Sequence, residues 1–276
     1  MTHVLEMIPA RPAPPNKASR LNGARILGYA LLCLWAILGA ALLWSVISNW
    51  DIDKVSRYGP RYINGLLTTI ALTVTSIALG AILSLPVTFA RMSKNRVLNT
   101  ISYAYVYLFR STPMLLQIFL VYYGLGSFRP QIEAMGLWWF FREAWYCAAF
   151  AMTLNTAAYQ AEILRGAIQS VPRGQTEGAK SLGLPTPITF WKIILPQALI
   201  VALRPYGNEI IFMIKGSAVV AVVTVLDLMG QTRYAFSRTF DYQTYLWAAI
   251  FYLTFVEALR HTWAWLEARL TRHLKR

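Results

Sequence analysis

Six apolar runs, at about 26–48, 63–90, 101–124, 144–161, 197–226 and 243–266, dominate the chain. A helix of about 20 apolar residues crosses a bilayer, so a sequence with this many predicts an all-α polytopic membrane protein of about six transmembrane helices. Composition agrees. The chain is 57% hydrophobic and 14% charged, where soluble domains run about 45–50% and about 25%. That balance excludes a water-soluble globule and a disordered chain. Net charge is +14, but the bases lie between the apolar runs. They point to the anionic inner surface of a membrane and not to nucleic acid.

The first run follows a basic, proline-rich segment carrying Arg11, Lys17, Arg20 and Arg25. At about 1.5 Å per residue the run reaches roughly 35 Å, too long for the core of a signal peptide. It reads as a retained helix. The third run carries Arg110 near its centre and Pro113 three residues later. A mid-membrane charge is costly and proline interrupts a helix. Residues 97–109 are therefore expected at the interface, with Tyr103, Tyr105 and Tyr107 at headgroup level, and the span from near Ser111 to about Gly126. With the N-terminus inside, the inner segments hold fifteen Lys and Arg and the outer loops seven. The positive-inside rule then places both termini in the cytoplasm. Cys33 and Cys147 lie in apolar runs and read as small hydrophobes.

The inner segment from about Glu162 to Pro196 is polar, with four bases, Arg165, Arg173, Lys180 and Lys192. Pro172 suits the first position of a short helix. Gly183 can close that helix in a left-handed conformation, and Pro185 and Pro187 stop it from continuing. A second helix is expected from near Thr189 toward Pro196. Helix, turn, helix on one membrane face is a docking device.

Enzymatic constellations are missing from the sequence. The histidines, His3, His261 and His273, form no metal-binding cluster. Neither a His-Glu-x-x-His run nor a Gly-x-Ser-x-Gly elbow is present. The segment from Gly174 to Ser181 superficially suggests a phosphate loop, but three residues separate its glycines and Ala179 intervenes before Lys180. No metal or cofactor is expected in this chain.

Glu177-Gly178-Ala179, three residues, Gly183, nine residues, Ile193, one residue and Leu195-Pro196 resemble the EAA motif of ABC importer permeases. Gly178 stands where the motif has alanine, a change that weakens helix propensity by about 1 kcal/mol. Arg110-Ser-Thr112-Pro113 followed by Gln117 resembles the Arg-Gly-Thr-Pro segment of the polar amino-acid permeases. Asn155 through Glu162 and Asn208-Glu209 are similar to the same family. The resemblance is closest to permeases for histidine, arginine and related opines. It covers about residues 58–270, leaving 1–25 and 271–276 as cytoplasmic basic tails and 26–57 as an additional helix with its periplasmic loop.

The resemblance implies a five-helix permease core in a bacterial inner membrane. It also implies a second permease subunit, a periplasmic solute-binding protein, and two ATPase subunits that bind ATP and Mg. Arg173, Glu177, Gly178, Ala179, Lys180, Gly183, Ile193, Leu195 and Pro196 would form the joint with the ATPase. The outer segments 49–62, 125–143 and 227–242 would receive the binding protein.

Polar residues inside apolar runs are candidates for substrate contact. At 100° per residue Asn155, Tyr159 and Glu162 share one face of the fourth run, and Arg204, Asn208 and Lys215 one face of the fifth, with Glu209 on another. Either set could line a path or lock helices together; Arg204 reads as snorkelling to the interface. Arg110, Thr112, Pro113 and Gln117 are candidates for gating or for structure. Pro86, Pro113, Pro196 and Pro205 are expected kinks. An ion-coupled secondary transporter or channel is the alternative function. It predicts inverted repeats, which the sequence does not display.

Overall fold

The computed structural model describes residues 23–48 and 51–272. Arg11, Lys17, Arg20, His3, His273 and the last bases, Lys275 and Arg276, lie outside the described residues. Two units are present, one ending at Asp51 and one beginning at Ile52. The first contains a single helix, α1 (Gly23–Ser48), with a mean hydropathy of 2.4.

The second unit is built on α2 (Ile52–Met92), whose 41 residues extend about 60 Å. That is twice the hydrocarbon thickness of about 30 Å, so one end projects from the membrane. Asn95 then caps α3 (Arg96–Ser111), its side chain accepting from the amides of Val97 and Leu98. After a break at Thr112–Pro113, α4 (Met114–Gly124) leaves at 107° to α3. Two short helices, α5 (Arg129–Ala134) and α6 (Trp138–Phe141), lead to α7 (Ala144–Ser170). The next is α8 (Arg173–Ser181), then α9 (Thr186–Val223), α10 (Leu228–Thr239) and α11 (Gln243–Leu270). Among the described residues there is no strand.

The helix α7 is the axis of this unit. Its buried positions run around the whole helix, from Cys147 to Ile168, and α2, α3, α4 and α9 all pack against it. Lipid supplies no hydrophobic drive between helices, so close approach of small residues carries the packing. Gly65, Thr69, Thr73, Ser76, Gly80, Ser84 and Thr88 are all buried on α2, spaced three or four apart and hence on one face. Ser76 Oγ donates to the Ala149 carbonyl at 3.3 Å and Thr88 Oγ1 to that of Ala161 at 3.2 Å.

Several sequence expectations change. By length and apolarity α1, α2 and α9 can each cross a membrane, and the bent pair α3–α4 makes a fourth candidate. With 27 and 28 residues, α7 and α11 are long enough but less apolar; α7 can be polar because its neighbours shield it. The second helix of the inner segment starts at Thr186, three residues before Thr189, and runs past Pro196 to Val223. A π-helical turn at Phe190–Ile194 carries the chain past Pro196, since a wider turn relieves the ring clash. Pro86 and Pro205 lie inside continuous helices, whereas Pro113 marks the sharp break. Much of the outer segments is helical, with 52–62 belonging to α2 and 228–239 being α10.

Candidate functional site: a cavity with a buried carboxyl and an exposed short helix

The break between α3 and α4 exists because Pro113 has no N–H and forces Thr112 into an extended conformation (φ −109°, ψ 145°). Carbonyls are thereby left without helical partners. Gln117 Nε2 donates to the carbonyls of Phe109 (2.9 Å) and Thr112 (3.1 Å) and to Thr112 Oγ1 (2.8 Å). From α7, Asn155 Nδ2 donates to Gln117 Oε1 at 2.9 Å and to the Phe109 carbonyl at 3.2 Å. Broken backbone at membrane depth requires such internal satisfaction. Gln117 and Asn155 thus hold the break open in a fixed shape.

A cavity of about 530 Å³ lies between this break, α7 and α9. Thr112, Pro113 and Met114 close one side, Asn155, Tyr159 and Ile163 another, and Pro205, Asn208, Glu209, Phe212 and Met213 the third. Glu209 is 6% exposed, and its Oε1 accepts from Thr156 Oγ1 at 2.8 Å. Thr156 Oγ1 in turn accepts from Gln160 Nε2 at 3.1 Å, which also donates to the Ile77 carbonyl. A hydrogen-bonded chain therefore runs from α2 through α7 to the carboxyl group in the cavity. Such a network fixes the carboxyl in place where a free glutamate would rotate.

The helical-wheel grouping needs correction here. Asn208 and Glu209 line the same cavity although they are 100° apart, because the cavity wraps around an edge of α9. Lys215 is exposed and is not among the lining residues. Arg204 points away and pairs with Glu267 of α11 at 2.5 Å. Glu162 lies beside a second, smaller groove, where it accepts from Arg91 Nε (3.0 Å) and Arg165 Nη2 (2.6 Å). Sequence reading missed Thr156 and Gln160; their spacing on the face of α7 toward α2 was the available signal.

At the other candidate region, α8 ends in a Schellman motif. Gly183 has φ +72°, its N–H bonds to the Lys180 carbonyl at 2.9 Å, and the Leu184 N–H to that of Ala179 at 3.0 Å. Ala179 is buried, while Arg173, Glu177, Gly178, Lys180 and Gly183 are exposed, as is Leu182 at 79%. Ile193 and Leu195 are half-buried and Pro196 is exposed. Leu195, Ile194 and Phe190 pack onto Leu164, Ala167 and Ile168 at the end of α7. The small helix is thus buried only at Ala179 and open elsewhere. A tight turn over 182–185 joins it to α9, which packs on the end of α7 and lines the cavity.

A helical membrane bundle with a buried carboxyl in a largely apolar cavity, and a short, exposed helix joined by a tight turn to a cavity-lining helix, defines a membrane transport subunit. More narrowly, the chain belongs to the family of binding-protein-dependent transport system inner membrane components, whose model matches residues 76–272. It is a multi-pass permease subunit of a bacterial inner membrane. It is 41% identical over 209 residues to the nopaline transport system permease protein NocM of Agrobacterium fabrum, spanning 75% of this chain and 87% of that one. To the arginine ABC transporter permease protein ArtM of Escherichia coli K12 it is 37% identical, spanning 71% and 88%. A crystal structure of an amino acid ABC transporter with histidines aligns with a TM-score of 0.72 at 31% identity, covering 80% of this chain and 99% of that one. An inward-facing methionine ABC transporter shares the fold, with a TM-score of 0.63 at 19% identity and coverage of 76% and 96%.

Proposed function

We propose that this chain forms the translocation path of an ABC importer for polar amino acids, with basic amino acids or opines as its cargo. The observation that carries the reading is the cavity that Glu209, Asn208, Tyr159 and Asn155 line together. A buried carboxyl group held by Thr156 is a counter-group for a guanidinium or ammonium, and guanidinium–carboxylate pairing is directional. Relatives that carry nopaline and arginine support that class of cargo. Asn155 and Gln117 serve chiefly to hold the α3–α4 break, Thr112 and Pro113 form part of the cavity wall, and Arg110 lies in the neighbouring groove.

The exposed α8 is the joint. Two ATPase subunits, which bind ATP and Mg, would seat α8 in a groove, with Arg173, Glu177 and Lys180 facing the partner and Gly178 permitting close approach. Ile193, Leu195 and Pro196 tie that joint to α9, so nucleotide-driven closure moves the cavity wall as a rigid body. A second permease subunit completes the path, and a periplasmic solute-binding protein delivers cargo to the outer segments. Both termini lie in the cytoplasm and α1 adds a sixth crossing at 26–48 to the core at 58–270.

The test is ATP hydrolysis by the reconstituted complex with its binding protein, screened across basic, neutral and acidic amino acids and octopine. Stimulation confined to basic amino acids or opines is expected. Uptake driven by an ion gradient without ATP would instead establish a secondary transporter.

A further inference from the structure

Tyr159 lines two separate spaces. One is the main cavity; the other is the groove of about 360 Å³ between α3 and α7, which also meets Arg91, Arg110 and Glu162. Because α7 proceeds from Asn155 through Tyr159 to Glu162 and on toward α8, the groove lies one helical turn nearer the inner joint than the cavity. The Arg110 guanidinium carbon stands 5.1 Å from the Tyr159 ring centroid, and the Tyr159 hydroxyl reaches toward the Arg110 carbonyl at 3.5 Å. Together these two side chains partition the spaces.

The two spaces differ in charge. The cavity holds the Glu209 carboxyl. In the groove Glu162 is already paired with both Arg91 and Arg165, and Arg91 also bonds Asn99 Oδ1 and stacks on Tyr103. Arg110 has no ion pair with any described residue. Two lining arginines, Arg91 and Arg110, against the one carboxylate of Glu162, which Arg165 pairs from outside the groove, leave it net positive, with Arg110 stacked on an exchangeable aromatic face.

We propose that the α3–α7 groove is a second station on the route, where Arg110 takes the carboxylate of the carried amino acid while Glu209 holds its cationic end. The Arg110–Tyr159 stack is the partition that the carboxylate displaces. This inference rests on the main cavity being the path. Charge-assisted pairing with a planar guanidinium exceeds what the aromatic face provides, so a carboxylate can win Arg110 from Tyr159. A cargo without a carboxylate leaves the stack closed.

Equilibrium titration of the purified, nucleotide-free permease–ATPase complex with L-arginine and with its decarboxylated analogue agmatine tests this. L-arginine should bind about tenfold more tightly than agmatine. Arg110→Gln should abolish that advantage by weakening L-arginine alone, and Arg110→Lys should retain most of it. Equal affinities in the native complex would overturn the station whether or not any variant assembles, as would an Arg110→Gln effect that is the same for both probes. Glu209→Gln separates the two readings. If it weakens both probes and Arg110→Gln changes neither, the station alone fails; if neither variant alters either probe, the cavity itself is not the path.

Discussion

Gly80 of α2 lies directly against Thr156 of α7: a Cβ on Gly80 would stand 2.5 Å from Thr156 Cγ2 and 3.3 Å from the Ala157 amide nitrogen. The second neighbour is backbone and cannot swing aside. Gly80→Ala should therefore push the α2–α7 interface apart, at a cost of about 1–3 kcal/mol for overpacking. Thr156 would move with it, and its bond to Glu209 would loosen. Thermal denaturation in detergent should register the lower stability, and transport assays a loss of uptake larger than the fall in folded protein.

Thr156 is the residue through which packing reaches the cavity. Thr156→Val keeps the shape and removes the hydroxyl that donates to Glu209. A buried acceptor left without its donor costs about 1–3 kcal/mol, and the carboxyl is free to rotate. We expect weaker binding of cationic cargo with α2–α7 packing intact, and recovery in Thr156→Ser. Uptake kinetics on the two variants check this, the change falling mainly in KM.

Much of this architecture was legible in the sequence, and the reasons are local. Pro113 three residues after Arg110 signals a break, because a missing N–H and a charge at one place both oppose a continuous apolar helix, whereas Pro86 and Pro205 alone leave their helices continuous. Gly183 likewise announces a left-handed helix end. What could not be read depends on neighbours. The stripe from Gly65 to Thr88 is invisible to hydropathy because glycine, serine and threonine neither raise nor lower it much. Its meaning appears only once α7 lies against it. Asn208 and Glu209 were assigned to different faces because a helical wheel has no knowledge of a cavity that turns a corner. The helix beginning at Thr186 was placed too late because Pro187 sits in its first turn, where proline is tolerated.

Gly183 supplies a prediction at the end of α8. Its φ of +72° is a conformation in which a side chain costs about 1 kcal/mol or more, although no neighbour would meet a Cβ there. Gly183→Ala should thus leave the membrane bundle folded and tilt or fray the end of α8. Gly183→Asn, which tolerates the left-handed region, should be milder. Binding-protein-stimulated ATP hydrolysis and uptake should both fall in the order native, Asn, Ala, while detergent-extracted yield stays the same. Glu177→Ala tests the proposed ATPase contact on the exposed side of the same helix, with uptake lost and insertion unaffected.

Asp227 gives the molecule a pH dependence outside the apolar spans. It caps α10, its Oδ1 accepting from the Gly230 N–H at 2.8 Å, while Oδ2 is buried with no hydrogen-bond partner among the described residues. Burial pushes its carboxyl up from 3.8 to about 6, outweighing the Gly230 and Met229 amides and the neighbouring Tyr252 and Thr69 hydroxyls that lower it. A raised value means the folded state holds this proton more tightly than the unfolded chain. The resulting stability is complete below the unfolded value and is lost as pH rises through about 6. Asp227→Asn keeps the capping oxygen and removes the buried charge. Its denaturation midpoint should match the native protein near pH 4 and exceed it above about pH 7, by an amount of at most about 3 kcal/mol. A variant less stable than the native protein at neutral pH would show that the charged cap outweighs its desolvation.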